Sequence, residues 1–189
     1  MRLLKSAVTA FSLFLGGAIP AASAFSLEGT MWERAAKGSE CNVPPLLLYS
    51  IALQESRSEA GKGLVRPHPF ALRNEPSGPK YPRSQEEAAS LLNSYIKEDR
   101  LTDIGMMQIN YRWNGHRVSS PELLLNPEIN IKVAAEILCE AIAVKKNDIE
   151  LAIGGYHTMN PRRESDARLY ARNVLSIWRA LQRLERKGG

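Results

Sequence analysis

The sequence has few of the residues that build metal sites. Its 189 residues include only two cysteines and three histidines. The histidines are scattered, and neither a His-Glu-x-x-His nor a paired Cys-x-x-Cys pattern occurs. We therefore expect neither a bound metal nor a cofactor. Internal repeats and low-complexity segments are also lacking, and the length suits one domain.

The excess of positive charge is small, and aromatic residues make up only 7% of the chain. The formal net charge is +5, and Arg2 and Lys5 account for two of these charges. Arginines cluster between Arg162 and Arg186, where they form either a solvated helix face or a surface for an anionic wall polymer or a partner. Because this cluster lacks the interleaved aromatic residues of a single-strand platform, we expect no nucleic-acid partner.

Long apolar runs are confined to the first residues. A basic start is followed by an apolar run from Ala7 to Ile19 and by the small-residue triplet Ala22-Ser23-Ala24. This order predicts a secretory signal peptide, residues 1–24, cleaved after Ala24, and a mature domain of residues 25–189. A membrane anchor is the alternative, but a bilayer span needs about 20 apolar residues. We expect no membrane span after the cleavage site.

The two cysteines, Cys41 and Cys139, are predicted to form a disulfide, because an exported chain enters an oxidising compartment. The bond would close a loop of about 100 residues and tie the start of the first long helix to a later one. Two buried free thiols are the alternative.

Cap residues and apolar stripes predict five helices. The first ends near Ser56 and has apolar residues nearly all round, which indicates a buried helix. The fourth ends near Tyr156 and the last near Arg186. The five begin near Pro45, Ser84, Pro127, Asp148 and Asp166. The inward face of the last helix is predicted to carry Leu169, Val174, Ile177, Trp178 and Leu181.

The chain between these helices predicts a small β or loop element. Residues Ala60 to Arg83 are rich in proline and glycine, which excludes a helix. Within them, Pro69–Asn74 and Gly78–Tyr81 favour a short hairpin. Thr102–Asn110 favours a short strand or turn. The predicted fold class is therefore α+β, mainly α.

Glu55 is the candidate for chemistry. It follows the apolar stretch Leu46–Leu53 at the end of the first predicted helix. A carboxylate at the edge of an apolar face is costly to ionise, so its pKa should rise. A proton kept near neutral pH is what a general acid needs to cleave a glycosidic bond. The alternative is a polar residue at a helix C-terminus, where a carboxylate opposes the helix dipole.

Four short motifs, in order between Pro44 and Ala180, resemble the lytic transglycosylase family of the soluble type (SLT), which has a lysozyme-like fold. The motifs are Ala52-Leu53-Gln54-Glu55-Ser56, Gly105-Met106-Met107-Gln108-Ile109-Asn110, Leu151-Ala152-Ile153-Gly154-Gly155-Tyr156-His157 and Tyr170-Ala171-Arg172-Asn173-Val174-Leu175. Gly155 and His157 depart from the family, which usually has Ala and Asn there. Asp103, before the second motif, and the proline- and glycine-rich segment resemble the specialised enzymes of conjugative and type IV secretion systems.

The resemblance implies a lysozyme-like single domain with the small β or loop element beside the catalytic cleft. It implies a periplasmic lyase that cleaves the β-1,4 bond between N-acetylmuramic acid and N-acetylglucosamine in peptidoglycan. A single glutamate, here Glu55, would act as acid and then as base, leaving a 1,6-anhydro end. Its partners would be glycan strands and components of an envelope-spanning machine, for which it would open the wall locally.

The predicted substrate-binding positions are Ser56, Met107, Gln108, Tyr156 and Tyr170. A tyrosine near Glu55 would hydrogen-bond the carboxyl and hold its orientation, and the amide of Gln108 would bind sugar hydroxyls or an N-acetyl group. Met107 is a core or cleft-wall residue. Asp103 is predicted either to stabilise developing positive charge on the sugar or to form a turn by accepting backbone N–H groups.

Two other functions stay open. A lysozyme-type hydrolase would use Glu55, Asp103 and a water molecule, and it would leave a reducing end. A non-catalytic peptidoglycan-binding or assembly protein could share the fold, but it would be free to lose the acid. The presence of Glu55, Gln108 and Tyr156 argues against the second of these.

Overall fold

The computed structural model describes residues 25–188, so the predicted signal peptide, residues 1–24, lies outside the described residues. In the described part the helices are α1 (Met31–Lys37), α2 (Pro45–Ser56), α3 (Gln85–Glu98), α4 (Tyr111–Asn114), α5 (Pro127–Val144), α6 (Ile149–Gly154) and α7 (Glu164–Gly188). The strands are β1 (Arg57–Gly61), β2 (Leu64–Pro67), β3 (Leu72–Asn74), β4 (Gly78–Lys80), β5 (Thr102–Ile104) and β6 (Ile109–Asn110). Short 3-10 turns lie at Gly115–Arg117, Pro121–Leu125 and Pro161–Arg163.

Helix α2 lies at the centre of the molecule. It begins with a proline in its first turn, where the missing N–H has no helical partner to lose. Leu48 and Ile51 are fully buried, and each contributes about 1.5–3 kcal/mol through burial. The helix packs against α1 on one side and α7 on another. This confirms the buried helix expected from its apolar residues.

The helix starts follow local capping chemistry. The Asn126 carboxamide oxygen accepts from the N–H groups of Glu128 and Ile129 at 2.9 and 3.2 Å, at the start of α5. Asp148 accepts from the N–H of Leu151 at 3.0 Å, at the start of α6. Each such cap is worth about 1 kcal/mol.

Helix α3 begins with a capping box in which the glutamate bonds the residue before the cap and not the cap itself. The Ser84 hydroxyl accepts from the N–H of Glu87 at 3.2 Å. The Glu87 carboxylate accepts from the N–H of Arg83 at 2.8 Å, one residue before the cap. Both donors are satisfied, and the helix starts where the sequence predicts.

Two small antiparallel sheets lie between the helices. Strands β1 and β2 form a two-stranded hairpin directly after α2, and the other four strands form a sheet in the order β4-β3-β5-β6. The β3–β4 hairpin falls in the segment where a hairpin was predicted. The β1–β2 hairpin was not predicted, because nearly all its residues are exposed and no apolar alternation marks it.

Helix α7 differs from its prediction on the inward face. It begins at Glu164, and Leu169 is 55% exposed, so the inward placement of Leu169 was wrong. Ala167 and Tyr170 are buried instead, and Val174 is buried as predicted, so the buried stripe has spacings of three and four residues. Leu169 lies two residues, or roughly 200° of helical rotation, from Ala167 and therefore faces solvent. Helix α6 also ends earlier than predicted, at Gly154.

Cys41 and Cys139 form a disulfide with their Cα atoms 5.5 Å apart. The bond ties the segment before α2 to α5, as the sequence predicts. The fold class is also confirmed: the described chain is mainly helical with small antiparallel sheets, consistent with a lysozyme-like α+β domain. Among residues 25–188, no helix combines the length and the apolarity required to cross a bilayer.

Candidate active site

The carboxyl group of Glu55 lies half-buried in the last turn of α2. The hydroxyl of Tyr170, from α7, donates a hydrogen bond of 2.5 Å to Glu55 Oε1. Tyr170 itself is only 7% exposed, so its ring cannot swing away from the carboxyl without disturbing the core. The hydrogen bond therefore fixes one oxygen of Glu55 and leaves the other without a protein partner among the hydrogen bonds of the described residues.

The pKa of Glu55 is raised to about 7, mainly by burial and to a smaller extent by the charge of Asp103. The Tyr170 hydrogen bond and the charge of Arg73 act in the opposite direction. The rise expected from the sequence is present, and its main cause is removal of the carboxylate from water. A carboxyl with this pKa still carries its proton near neutral pH and can deliver it.

We expect the rate of any reaction that uses Glu55 as a general acid to fall as pH rises through about 7. The protonated form is the active one, and a raised pKa keeps it populated up to that pH. The measurement is kcat/KM against pH on purified peptidoglycan. A descending limb near pH 5, where an ordinary glutamate titrates, would contradict it.

A Tyr170→Phe variant tests the cause of this limb. The phenol stabilises the charged carboxylate, so its removal should move the limb to higher pH while the ring packing stays. Tyr95→Phe is the matched control, because Tyr95 is a buried tyrosine on α3. A limb that moves equally in both variants would indicate a general change in packing.

The turn from Gly105 to Gln108 is held by Asn130, a fully buried residue of α5. Its amide oxygen accepts from the N–H of Met107 at 2.8 Å, and its NH₂ group donates to the carbonyls of Ile104 and Leu124 at 2.9 Å. Sequence reasoning gave Asn130 no role. The available signal was an amide within the apolar face of a predicted helix, which requires buried partners.

Gly105 makes this close approach possible. Its φ of 77° is unfavourable for a residue with a side chain, and a Cβ atom there would lie 2.5 Å from Asn130 Nδ2. Gln108 also has a positive φ of 48°. The turn is therefore specified by its glycine and by a buried amide on another helix.

Three of the predicted substrate contacts take part in internal contacts instead. The buried Ser56 hydroxyl donates to the carbonyl of Met106 at 2.7 Å and ties α2 to the turn, and its predicted sugar contact is not retained. The Met107 side chain is fully buried, so it belongs to the core. Gln108 Nε2 donates to the carbonyls of Ala71 and Gly105, which leaves its amide oxygen as the group able to face a ligand.

Three aromatic rings stand together beside Glu55. Tyr170 lies between stacking partners: the His157 ring is 5.1 Å away with planes 9° apart, and the Tyr156 ring is 6.5 Å away with planes 18° apart. The Tyr156 hydroxyl donates to the carbonyl of Met107 at 2.7 Å. Burial raises the pKa of both tyrosines well above the usual value, so both remain donors. The stack holds the phenol that positions Glu55.

Gly154 allows α6 and α7 to approach closely enough for this stack. A Cβ atom at Gly154 would lie 2.3 Å from the carbonyl oxygen of Ala167. The backbones of the two helices therefore touch at this point. Tyr156 lies two residues beyond the end of α6, and Tyr170 lies three residues, or about one turn, after Ala167 in α7, so the same contact brings their rings together.

Asp103 lies in β5 and is half-buried. Its carboxylate accepts a hydrogen bond of 2.8 Å from Asn110 Nδ2, and burial raises its pKa. The alternative of a turn-forming aspartate is wrong, because Asp103 is in a strand and its bond is to a side-chain amide. Its charge acts on the pKa of Glu55. The Ser56–Met106 hydrogen bond joins the end of α2 to the turn that follows β5, so Asp103 lies on an element next to Glu55.

Residues 81–171 match the family model described as the transglycosylase SLT domain. This part of the chain is therefore similar to SLT transglycosylase domains. No curated relative and no solved structure matches it. The match indicates a lytic transglycosylase that acts on peptidoglycan. It includes Asp103, Gln108, Tyr156 and Tyr170, and it begins after Glu55.

The fold brings Glu55, Asp103 and the aromatic stack together from α2, β5 and the α6–α7 region. Among residues 25–188, no cluster of His, Cys, Asp or Glu side chains is suited to a metal ion. Arg73, which acts on the pKa values of both carboxyl groups, was not singled out in the sequence. Only the register of β3 against β5 places it there.

Proposed function

We propose that this protein is a peptidoglycan lytic transglycosylase in which Glu55 is the catalytic acid and base. The observation that carries the proposal is the half-buried Glu55 carboxyl, with a pKa of about 7 and a fixed hydrogen bond to Tyr170. The SLT match supports the same substrate class. The bond cleaved is the β-1,4 link between N-acetylmuramic acid and N-acetylglucosamine.

In the first step, protonated Glu55 gives its proton to the glycosidic oxygen. The bond from that oxygen to the muramyl anomeric carbon breaks, and the N-acetylglucosamine side leaves with a 4-hydroxyl group. In the second step, the Glu55 carboxylate takes the proton of the muramyl 6-hydroxyl, whose oxygen bonds the anomeric carbon. The product is a 1,6-anhydro ring, Glu55 is again protonated, and no water is consumed.

Asp103 is proposed to stabilise the positive charge that develops on the sugar ring between these steps. It is a second carboxylate close to Glu55, on the face of the sheet that carries Arg73 and Asn110. An Asp103→Asn variant should lower turnover by about tenfold or more and leave the melting temperature nearly unchanged. A lower melting temperature with unchanged turnover per folded molecule would assign Asp103 a structural role instead.

The products distinguish this proposal from a lysozyme-type hydrolase. Digestion of purified sacculi by the wild type should give fragments with 1,6-anhydro ends. These fragments are ~18 Da lighter than the corresponding fragments with reducing ends, because hydrolysis adds one water molecule. Fragments with reducing ends would support the hydrolase. Intact sacculi would support the non-catalytic assembly protein.

We further propose that the enzyme works in the periplasm and opens the wall locally for a secretion or conjugation machine. The support is the signal peptide predicted from the sequence and the resemblance of the Asp103 region to that group. Cell fractionation with and without residues 1–24 tests the location. Retention of the full-length chain in the cytoplasm would contradict it.

A further inference from the structure

A row of polar side chains crosses three strands next to Glu55. Arg73 on β3 pairs in register with Asp103 on β5, and Asp103 pairs with Asn110 on β6. Because residues directly opposite each other in a sheet project to the same face, the three side chains form one ladder. The residues that alternate with them are buried in the core behind the sheet; they are Leu72, Ile104 and Ile109.

The ladder lines a cavity of about 310 Å³, which Glu75 and Leu101 complete. It lies near the catalytic acid because the Ser56 hydroxyl, one residue after Glu55, donates at 2.7 Å to the carbonyl of Met106, just past the end of β5. The charges of Arg73 and Asp103 also act on the pKa of Glu55. Arg73 and Glu75 precede residue 81, so they lie outside the segment that matches the SLT family. Two of the three charged side chains of this cavity, Arg73 and Glu75, are therefore contributed by the proline- and glycine-rich segment of this chain.

The cavity offers both signs of charge to a ligand. The Arg73 side chain is 57% exposed, and its ion pair with Glu75 is long, at 3.7 Å. A guanidinium has five N–H donors in a fork that matches a carboxylate, so most of them remain for a ligand. Asp103 and Glu75 supply carboxylate oxygens to the same cavity. A ligand that carries a carboxylate and an ammonium group complements this arrangement better than a neutral sugar.

The glycan backbone of peptidoglycan is neutral, and the charges of the polymer reside in the short peptides attached to the muramic acid lactyl groups. We propose that the cavity lined by Arg73, Asp103, Asn110, Glu75 and Leu101 binds this peptide, with Arg73 on a peptide carboxylate. The inference rests on the proposed function. It makes the enzyme selective for glycan strands that still carry peptides, because the muramyl residue cleaved at Glu55 then presents its peptide to the adjacent cavity.

The test compares two forms of one substrate: glycan strands with their peptides, and the same strands after an amidase has removed them. The quantity measured is the ratio of kcat/KM on peptide-bearing strands to kcat/KM on stripped strands. Loss of a charge-assisted hydrogen bond at a partly exposed site should lower this ratio about tenfold in Arg73→Gln. Arg83→Gln, an exposed arginine outside the cavity, should leave the ratio unchanged.

The ratio separates peptide recognition from other effects of Arg73. Removal of its charge also changes the pKa of Glu55, but that effect acts equally on both substrates and cancels. An unchanged ratio in Arg73→Gln, or a wild type that cleaves stripped strands as fast as peptide-bearing strands, would overturn the inference.

Failure of the proposed function has a different signature, because the wild type would then cleave neither substrate. In that case a measurement of binding affinity tests the inference. A Glu55→Gln protein should bind peptide-bearing strands about tenfold more tightly than stripped strands, and the added Arg73→Gln change should abolish the difference. Equal affinity for both strands in the Glu55→Gln protein would show that the cavity does not take the peptide.

Discussion

Replacement of Glu55 by glutamine is expected to lower turnover on purified sacculi by about 10²–10⁴-fold without unfolding the domain. The amide has the same shape as the carboxylic acid and can still accept from the Tyr170 hydroxyl, but it has no acidic proton to deliver. Release of muropeptides, followed by mass spectrometry on wild type and variant, measures the effect. Near-wild-type activity in Glu55→Gln would end the assignment of this residue as the acid.

The same variant has a predicted effect on stability. The folded pKa of Glu55 is about 7 against an ordinary value of 4.5, so the native state binds more protons than the unfolded state between these pH values. The free energy of unfolding therefore falls as pH rises through this window, and the whole loss persists at higher pH. At pH 8 the melting temperature of Glu55→Gln should equal or exceed that of the wild type. Glu98→Gln, at an exposed site on α3, is the matched control and should change neither the turnover nor the melting temperature.

Removal of the disulfide is expected to lower the free energy of unfolding by about 4–5 kcal/mol. Cys41 and Cys139 are 98 residues apart in sequence, so their bond strongly restricts the unfolded chain. The double variant Cys41→Ala/Cys139→Ala avoids unpaired thiols, and denaturant unfolding at neutral pH gives the free energy. This loss is a large fraction of the stability of a typical domain.

Two further measurements define the origin of that loss. Wild-type protein unfolded in the presence of a reductant should show the same lower free energy as the double variant. Thiol labelling of the denatured, unreduced wild type should find no free thiol. A double variant as stable as the oxidised wild type would show that the bond adds nothing beyond the packing of α2 and α5.

The features predicted well from the sequence are those that depend on neighbouring residues. Helix starts at Ser84, Asn126 and Asp148 follow from side chains that bond N–H groups two or three residues away. The raised pKa of Glu55 follows from the apolar stretch that precedes it. Each cap is set within one turn of helix, and the apolar stretch marks the helix end that the fold will bury, so a single sequence is enough to predict both.

The features that were missed or wrong depend on long-range contacts. Arg73 reaches the site only through the register of β3 with β5, and Asn130 holds a turn that is 23 residues away in sequence. Leu169 was placed inside because it is apolar, although the buried stripe of α7 passes through Ala167 and Tyr170. The exposed β1–β2 hairpin has no buried face to mark it. Such features can be predicted only once the assembled fold is known.

The hydrogen bond between Glu55 and Tyr170 joins residues 115 positions apart. During synthesis, the acid therefore emerges long before the helix that carries its phenol partner. A chain in which α7 has not yet docked on α2 lacks the burial that keeps Glu55 protonated and the phenol that fixes its orientation. Under the proposed function, a molecule whose α7 has not docked would therefore be inactive on peptidoglycan, and activity would depend on the complete fold.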